Sequence, residues 1–153
     1  MTQIKPAHAA LWVRFSSGKN DTMSLFRAIY TSRPFGFDEN ILSGILMDAR
    51  RENVRHDITG ALVCRSDIYI QWLEGPEDAV KSTIERITRD DRHVEVKVHV
   101  AEAVSERMFG DWAMLHDPAA TWIWSQDEVN QGAVDRATPD KVTGFFLQLR
   151  DKN

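Results

Sequence analysis

Two nearly unbroken apolar runs constrain this chain most: Ile58-Thr59-Gly60-Ala61-Leu62-Val63-Cys64 and Ile68-Tyr69-Ile70-Gln71-Trp72-Leu73-Glu74. Arg65-Ser66-Asp67 joins them, so the pair reads as a β-hairpin of two buried strands. A polar side chain inside such a strand needs a hydrogen-bond partner. Gln71 is one, and its amide donates and accepts at once. Tyr30, in Arg27-Ala28-Ile29-Tyr30-Thr31-Ser32, raises the same question with a phenol. The two groups either satisfy each other or face a polar ligand.

The flanking segments build a sheet around the hairpin. Leu25 to Tyr30 reads as a first strand that closes at turn formers around Pro34 and Gly36. Asp38 caps a helix with Ile41, Leu42, Ile45, Leu46 and Ala49 spaced by three and four, stopping near Asn53. Gly75-Pro76-Glu77 opens a second helix with Val80, Ile84 and Ile87 inward, ending at Arg89-Asp90-Asp91-Arg92. Val94, Val96, Val98 and Val100 alternate with Glu95, Lys97 and His99, the pattern of a half-exposed strand. A short last strand is expected near Trp112-Ala113-Met114-Leu115. The order is β-α-β-β-α-β plus one strand, an α+β ferredoxin-like sheet with two helices on one face. A closing helix around Pro139–Leu149 is expected to pack Phe145, Phe146 and Leu149 on the other face. Tyr30, Asn53 and Gln71 then converge on the groove between the two helices, the natural ligand site of this architecture.

Length and composition bound the function. The 153 residues suit one domain with a usable core. Residues 1–22 read as an N-terminal extension, 23–116 as the main domain and 117–153 as a C-terminal helical cap. A net charge of -4 gives no support to a nucleic-acid surface. The lone Cys64 excludes an internal disulfide and a cysteine-based metal framework. No apolar run reaches the roughly 18 residues that span a membrane, and no secretory pattern opens the chain, so a cytoplasmic location is the expectation.

Several segments carry a resemblance when taken in order. They are Ile58-Thr59-Gly60-Ala61-Leu62, Gln71-x-Leu73-Glu74-Gly75, Asp91-Arg92-His93 and Arg107-Met108-Phe109-Gly110-Asp111-Trp112-Ala113-Met114. Together they resemble the BLUF family of blue-light sensors using FAD, over residues 23–116. The resemblance implies non-covalent FAD between the two helices, with Asn53 on the polar edge of the ring. It implies that Gln71 meets the ring near N5 and O4 and also meets Tyr30. Trp112 and Met114 would belong to the segment that responds to light, and Arg92 and His93 would lie near the flavin side chain. Asp57 departs from a frequent glycine and Ala49 from a serine of some members; Arg55 and His56 are further ring-proximal candidates, or surface.

The tail after residue 116 is short for a catalytic output and carries no phosphate loop or paired metal-binding carboxylates, so the expectation is a stand-alone photoreceptor without enzyme activity. It would signal to an unknown downstream protein, or through its own assembly as a homo-oligomer. The Trp122-Ile123-Trp124 stretch and the closing helix are candidates for that surface, or ordinary packing. Singly, each site residue has a plainer reading. Tyr30 suits a strand end with a wet hydroxyl, Asn53 a helix stop, Gln71 a solvent-facing position and Trp112 and Met114 core positions. Arg92 and His93 suit a solvated helix end. A flavin-free interaction module would be colourless. An acylphosphatase-type hydrolase would aim Arg27 and Asn53 at one phosphate, and a flavin oxidoreductase would need an open substrate pocket.

Overall fold

A computed structural model describes residues 25–36, 38–117 and 123–152. Strands β1 (Leu25–Pro34), β2 (Thr59–Arg65), β3 (Ile68–Pro76), β4 (His93–Val104) and β5 (Leu115–Asp117) form one sheet in the order β4-β1-β3-β2-β5. The first four pair antiparallel, and β5 runs parallel to β2. Helices α1 (Glu39–Arg55) and α2 (Glu77–Thr88) cross one face. Short helices α3 (Gln126–Asn130) and α4 (Ala133–Arg136) precede α5 (Pro139–Lys152), which covers the other face. The fold is the α+β, ferredoxin-like arrangement. The reading of residues 1–22 lies outside the described residues, as does Trp122.

The strand β3 is buried from Ile68 to Gly75 because both of its faces are covered. Tyr69 and Leu73 join Phe26, Tyr30, Ile45 and Ile84 under α1 and α2. Ile68, Ile70 and Trp72 face the opposite way into a cluster with Phe145, Phe146 and Leu149 of α5. Period-two alternation therefore sorts side chains between two cores instead of between core and water. The Trp72 ring stands 5.3 Å from both Phe109 and Phe146, tilted or edge-on as aromatic quadrupoles prefer.

Local rules explain the helix starts and turns. The Asp38 side chain accepts the Ile41 amide at 2.7 Å and caps α1, as expected. Asp57 closes the turn after α1 with φ of 59°, the left-handed region that glycine occupies without cost. Arg107 steadies it by donating to the Asp57 carbonyl at 2.8 Å. A Cβ at Gly60 would overlap the Trp72 carbonyl, so only glycine lets β2 approach β3 there.

Three boundaries differ from the sequence reading. The strand β1 runs on past Tyr30 to Pro34, because the hydroxyls of Thr31 and Ser32 are met at 2.8 Å by His99 and His93. In β4 the simple alternation breaks at register shifts opposite Ile29/Tyr30 and Thr31/Arg33. Val98 consequently packs under the helices while Val100 packs on the other face, and Glu95 takes φ of 53°. Finally, Trp112, Ala113 and Met114 precede β5 instead of lying in it. Their carbonyls are taken by the Gly60 amide and by side chains of α1, which holds the segment off a regular ladder.

Phe146 is fully buried against Trp72 and Phe109. Phe146→Ala should cost about 3–5 kcal/mol of stability. Denaturant unfolding of the purified variant measures the loss, and a change near zero would mean that α5 does not seal this face.

Candidate functional site

Between α1 and α2 opens a cavity of about 630 Å³, within the range of cofactor sites. Its floor is the sheet and its walls are the facing sides of the two helices. Asn53, Gln71, Arg92 and His93 all line it, as do Ala49 and Arg55. His56 instead ends α1 as its C-cap.

The floor is polar although it is buried. Asn53 is 1% exposed and donates through Nδ2 to the Ala113 carbonyl at 2.7 Å. The helix α1 continues past it to Arg55, so Asn53 is an inward-facing helical residue and not the helix stop. Gln71 is 4% exposed, and its Nε2 points to Met114 Sδ at 3.5 Å. A thioether is a weak acceptor, so the amide keeps most of its bonding capacity. Arg50, one turn before Asn53, donates from Nε and Nη2 to the Met114 carbonyl at 3.3 and 3.1 Å. The helix α1 thus grips two successive carbonyls of the segment whose side chain meets Gln71.

Tyr30 sits directly opposite Gln71 in the β1–β3 ladder, one layer in from the cavity lining. It is fully buried, and its Oη has no hydrogen-bond partner among the described residues. An unpaired buried hydroxyl costs about 1–3 kcal/mol. Burial, and after it the charge of Asp90, pushes the phenol well above its ordinary 10.0, so Tyr30 stays protonated at neutral pH.

The end of the cavity beyond α2 is held by a charge bridge. Arg92 binds Asp90 at 2.7 Å and reaches across to Asp48 of α1 at 3.0 Å. The Arg92 hydrogen bonds hold the Asp90 carboxyl below its usual range. His93 is the first residue of β4, not part of the helix end. Its Nδ1 lies 2.8 Å from Ser32 Oγ, and its ring is 6.5 Å edge-on from Tyr30.

The structure therefore brings together Tyr30, Asn53, Gln71, Met114, Arg92 and His93. It does not bring in Trp112, whose half-buried ring stacks 6.2 Å from Phe109 and packs with the opposite core. Arg27, nominated with Asn53 for a phosphate, instead binds Glu74 at 3.1 Å and lies over the Trp72 ring on the other face. The two share no anion site. Trp124 is buried edge-on to Phe145 at 5.0 Å, so this indole is packing and not surface. Arg50 and Asp48 escaped the sequence reading. The only signal for Arg50 is its spacing of three from Asn53, which puts both on one helix face.

Amides at a concave floor, with an unpartnered phenol beside one of them, suit a planar ring that carries carbonyls and ring nitrogens. The family model described as sensors of blue-light using FAD, BLUF, matches residues 25–115. The chain belongs to the BLUF family. Its flavin-binding, blue-light-sensing character follows from that membership. The photoactivated adenylate cyclase subunit beta of Euglena gracilis is 37% identical over 95 residues, 59% of this chain and 11% of that protein. The blue light- and temperature-regulated antirepressor BluF of Escherichia coli K12 is 33% identical over 106 residues, 64% of this chain and 26% of that protein. The chain thus matches only a small part of either relative. The dark-state structure of BlrB, a BLUF protein, superposes with a TM-score of 0.71 at 24% identity, covering 87% of this chain and 100% of BlrB. That likeness speaks to the fold. No helix among the described residues is long and apolar enough to cross a membrane.

Because folding raises the Tyr30 pKa, the stability gained by keeping it neutral is complete below its ordinary value of 10.0 and is lost as pH rises through the raised value. Tyr30→Phe should therefore flatten the alkaline limb of a stability-against-pH curve. Equal limbs in the two proteins would mean that the phenol ionises as freely when folded as when unfolded.

Proposed function

We propose that this chain is a blue-light photoreceptor that binds FAD between α1 and α2 and signals by rearranging the hydrogen bonds of Gln71. The observation that carries the reading is the pairing of Tyr30 with Gln71 across β1 and β3, with the phenol buried and unpartnered and the amide facing the cavity. Asn53 would hold the polar edge of the ring through the amide hydrogen that Ala113 does not take. Arg92 and His93 would flank the flavin side chain. A bound flavin supplies the blue-light chromophore and, once excited, a strong oxidant.

The residues then do the rest. Tyr30 would give up an electron to the excited flavin and its phenolic proton to Gln71, which as donor and acceptor relays the proton; electron and proton would then return separately to Tyr30. The cycle closes with the amide in a new hydrogen-bonding state. The weak Nε2–Sδ contact with Met114 is the bond most easily exchanged, and it ties the amide to the segment leading into β5. One hydrogen bond is worth about 1 kcal/mol net, enough to shift a population between neighbouring conformations and too little to unfold the domain.

Residues 23–116 would form the sensor and 117–153 the cap. We take the readout to be contact with a downstream protein or a change of self-assembly, in the cytoplasm and without catalysis by this domain. A flavin-free interaction module is the alternative, and the polar floor beside an unpartnered buried phenol argues against it.

Absorption of the purified protein in darkness, under blue light and during recovery tests the proposal. The expected spectrum is that of a flavin, shifting slightly to the red without bleaching and then returning. Gln71→Leu and Tyr30→Phe should each keep the flavin and lose the shift. A colourless protein that takes up no added flavin supports the interaction module, and steady bleaching supports a reducible flavoenzyme.

A further inference from the structure

Three successive backbone carbonyls just before β5 are each held by a donor from elsewhere in the fold. The Gly60 amide takes that of Trp112 at 3.0 Å and Asn53 Nδ2 that of Ala113 at 2.7 Å. Arg50 takes that of Met114 through Nε and Nη2 at 3.3 and 3.1 Å. The Met114 side chain is buried yet weakly bonded, its sulfur 3.5 Å from Gln71 Nε2. Backbone and side chain of one residue are thus held with very different strength.

Arg50 is the unusual donor of the three. It is an exposed residue of α1, a position from which a guanidinium ordinarily extends into water or meets a carboxylate. Among the described residues it pairs with no carboxylate, and two of its donors converge on one neutral carbonyl 64 residues along the chain. Such charge-assisted hydrogen bonds are stronger than neutral ones. Arg50 does not line the cavity, whereas Asn53 does, so its hydrogen bonds reach the cavity floor through Met114 alone. A mere strut between α1 and β5 could attach anywhere on the segment. This one attaches at the residue whose sulfur meets Gln71.

We propose that Arg50 is a positioning residue for the return from light to dark: by fixing the Met114 carbonyl it keeps Sδ where the Gln71 amide can recover it. The inference rests on the photoreceptor reading above and adds to it a residue outside the cavity that sets the lifetime of the light state. The physical reason is orientation, because a group already held in the geometry of a step loses less freedom in reaching it. With the clamp in place, the exchange at Gln71 moves a thioether. Without it the backbone of Met114 moves as well, and the segment must be ordered again before the contact re-forms.

Dark recovery of the purified full chain after a blue-light pulse, followed by flavin absorption, gives the test. Arg50→Gln should keep the dark spectrum and the size of the red shift while slowing recovery about tenfold, about 1.4 kcal/mol in the barrier. Arg50→Lys keeps the charge but replaces the two-donor fork by a single ammonium, and should slow recovery about threefold. Thermal unfolding of both variants separates this role from a simple strut, which would lower the midpoint and leave the recovery rate of the wild type. A wild-type rate in Arg50→Gln, or equal slowing in both variants, would overturn the positioning role and leave the photoreceptor reading intact. Where Arg50→Gln loses its flavin or its fold, Arg50→Lys decides alone: slowed recovery supports the role and an unchanged rate overturns it. A wild-type protein with no reversible shift would overturn both.

Discussion

The antiparallel register of β1 on β3 places Tyr30 opposite Gln71, and the rest of the site depends on it. A slip of one residue would send either side chain to the α5 face, because strand side chains alternate. Packing on both faces forbids the slip. Trp72 is clamped between Phe109, Phe146 and the Arg27 guanidinium, while Tyr69 and Leu73 are buried under the helices. The polar pair is thus fixed by apolar neighbours on both sides of the sheet.

Around that pair the polar floor is linked mechanically to the segment leading into β5. Asn53 and Arg50 hold the carbonyls of Ala113 and Met114, the Gly60 amide holds that of Trp112, and Glu74 receives the amides of Met108 and Phe109. The carboxylate of Glu74 is itself fully buried and is balanced by Arg27. Residues 107–114 are therefore anchored at both ends by strong donors and acceptors, while the Gln71–Met114 contact between them is weak. A change in the amide alters a soft link at the end of a segment whose backbone is firmly bonded. This arrangement favours a small, reversible displacement over local unfolding.

Much of the fold was legible because its signals are local. Hydrophobic periodicity, the Asp38 cap and the hairpin with its short polar turn each report on neighbours within a few residues. The misplacements have a shared cause. The strand β1 outran its expected end because His93 and His99 satisfy Thr31 and Ser32 from more than 60 residues away. The valines of β4 divide between two cores because bulges reset the alternation, and a bulge has no dependable sequence mark where glycine is absent. The segment 112–114 lost its strand character to side chains of α1. In the site, Tyr30, Asn53 and Gln71 stood out as polar groups in apolar surroundings. Arg50 and Asp48 did not, since an arginine on a helix says nothing about its partner until the opposite wall is placed.

What the sequence by itself determined is the element order, the two-sided burial of β3 and the presence of a phenol and an amide where polar groups need partners. These follow from side-chain chemistry and from spacing along the chain. Only the tertiary structure decided that the phenol and the amide are direct neighbours, that Met114 and not Trp112 meets Gln71, and that Arg50 holds the Met114 carbonyl. Each of these is a distance between residues far apart in the chain, set by packing two cores at once, and short-range propensity carries no information about it.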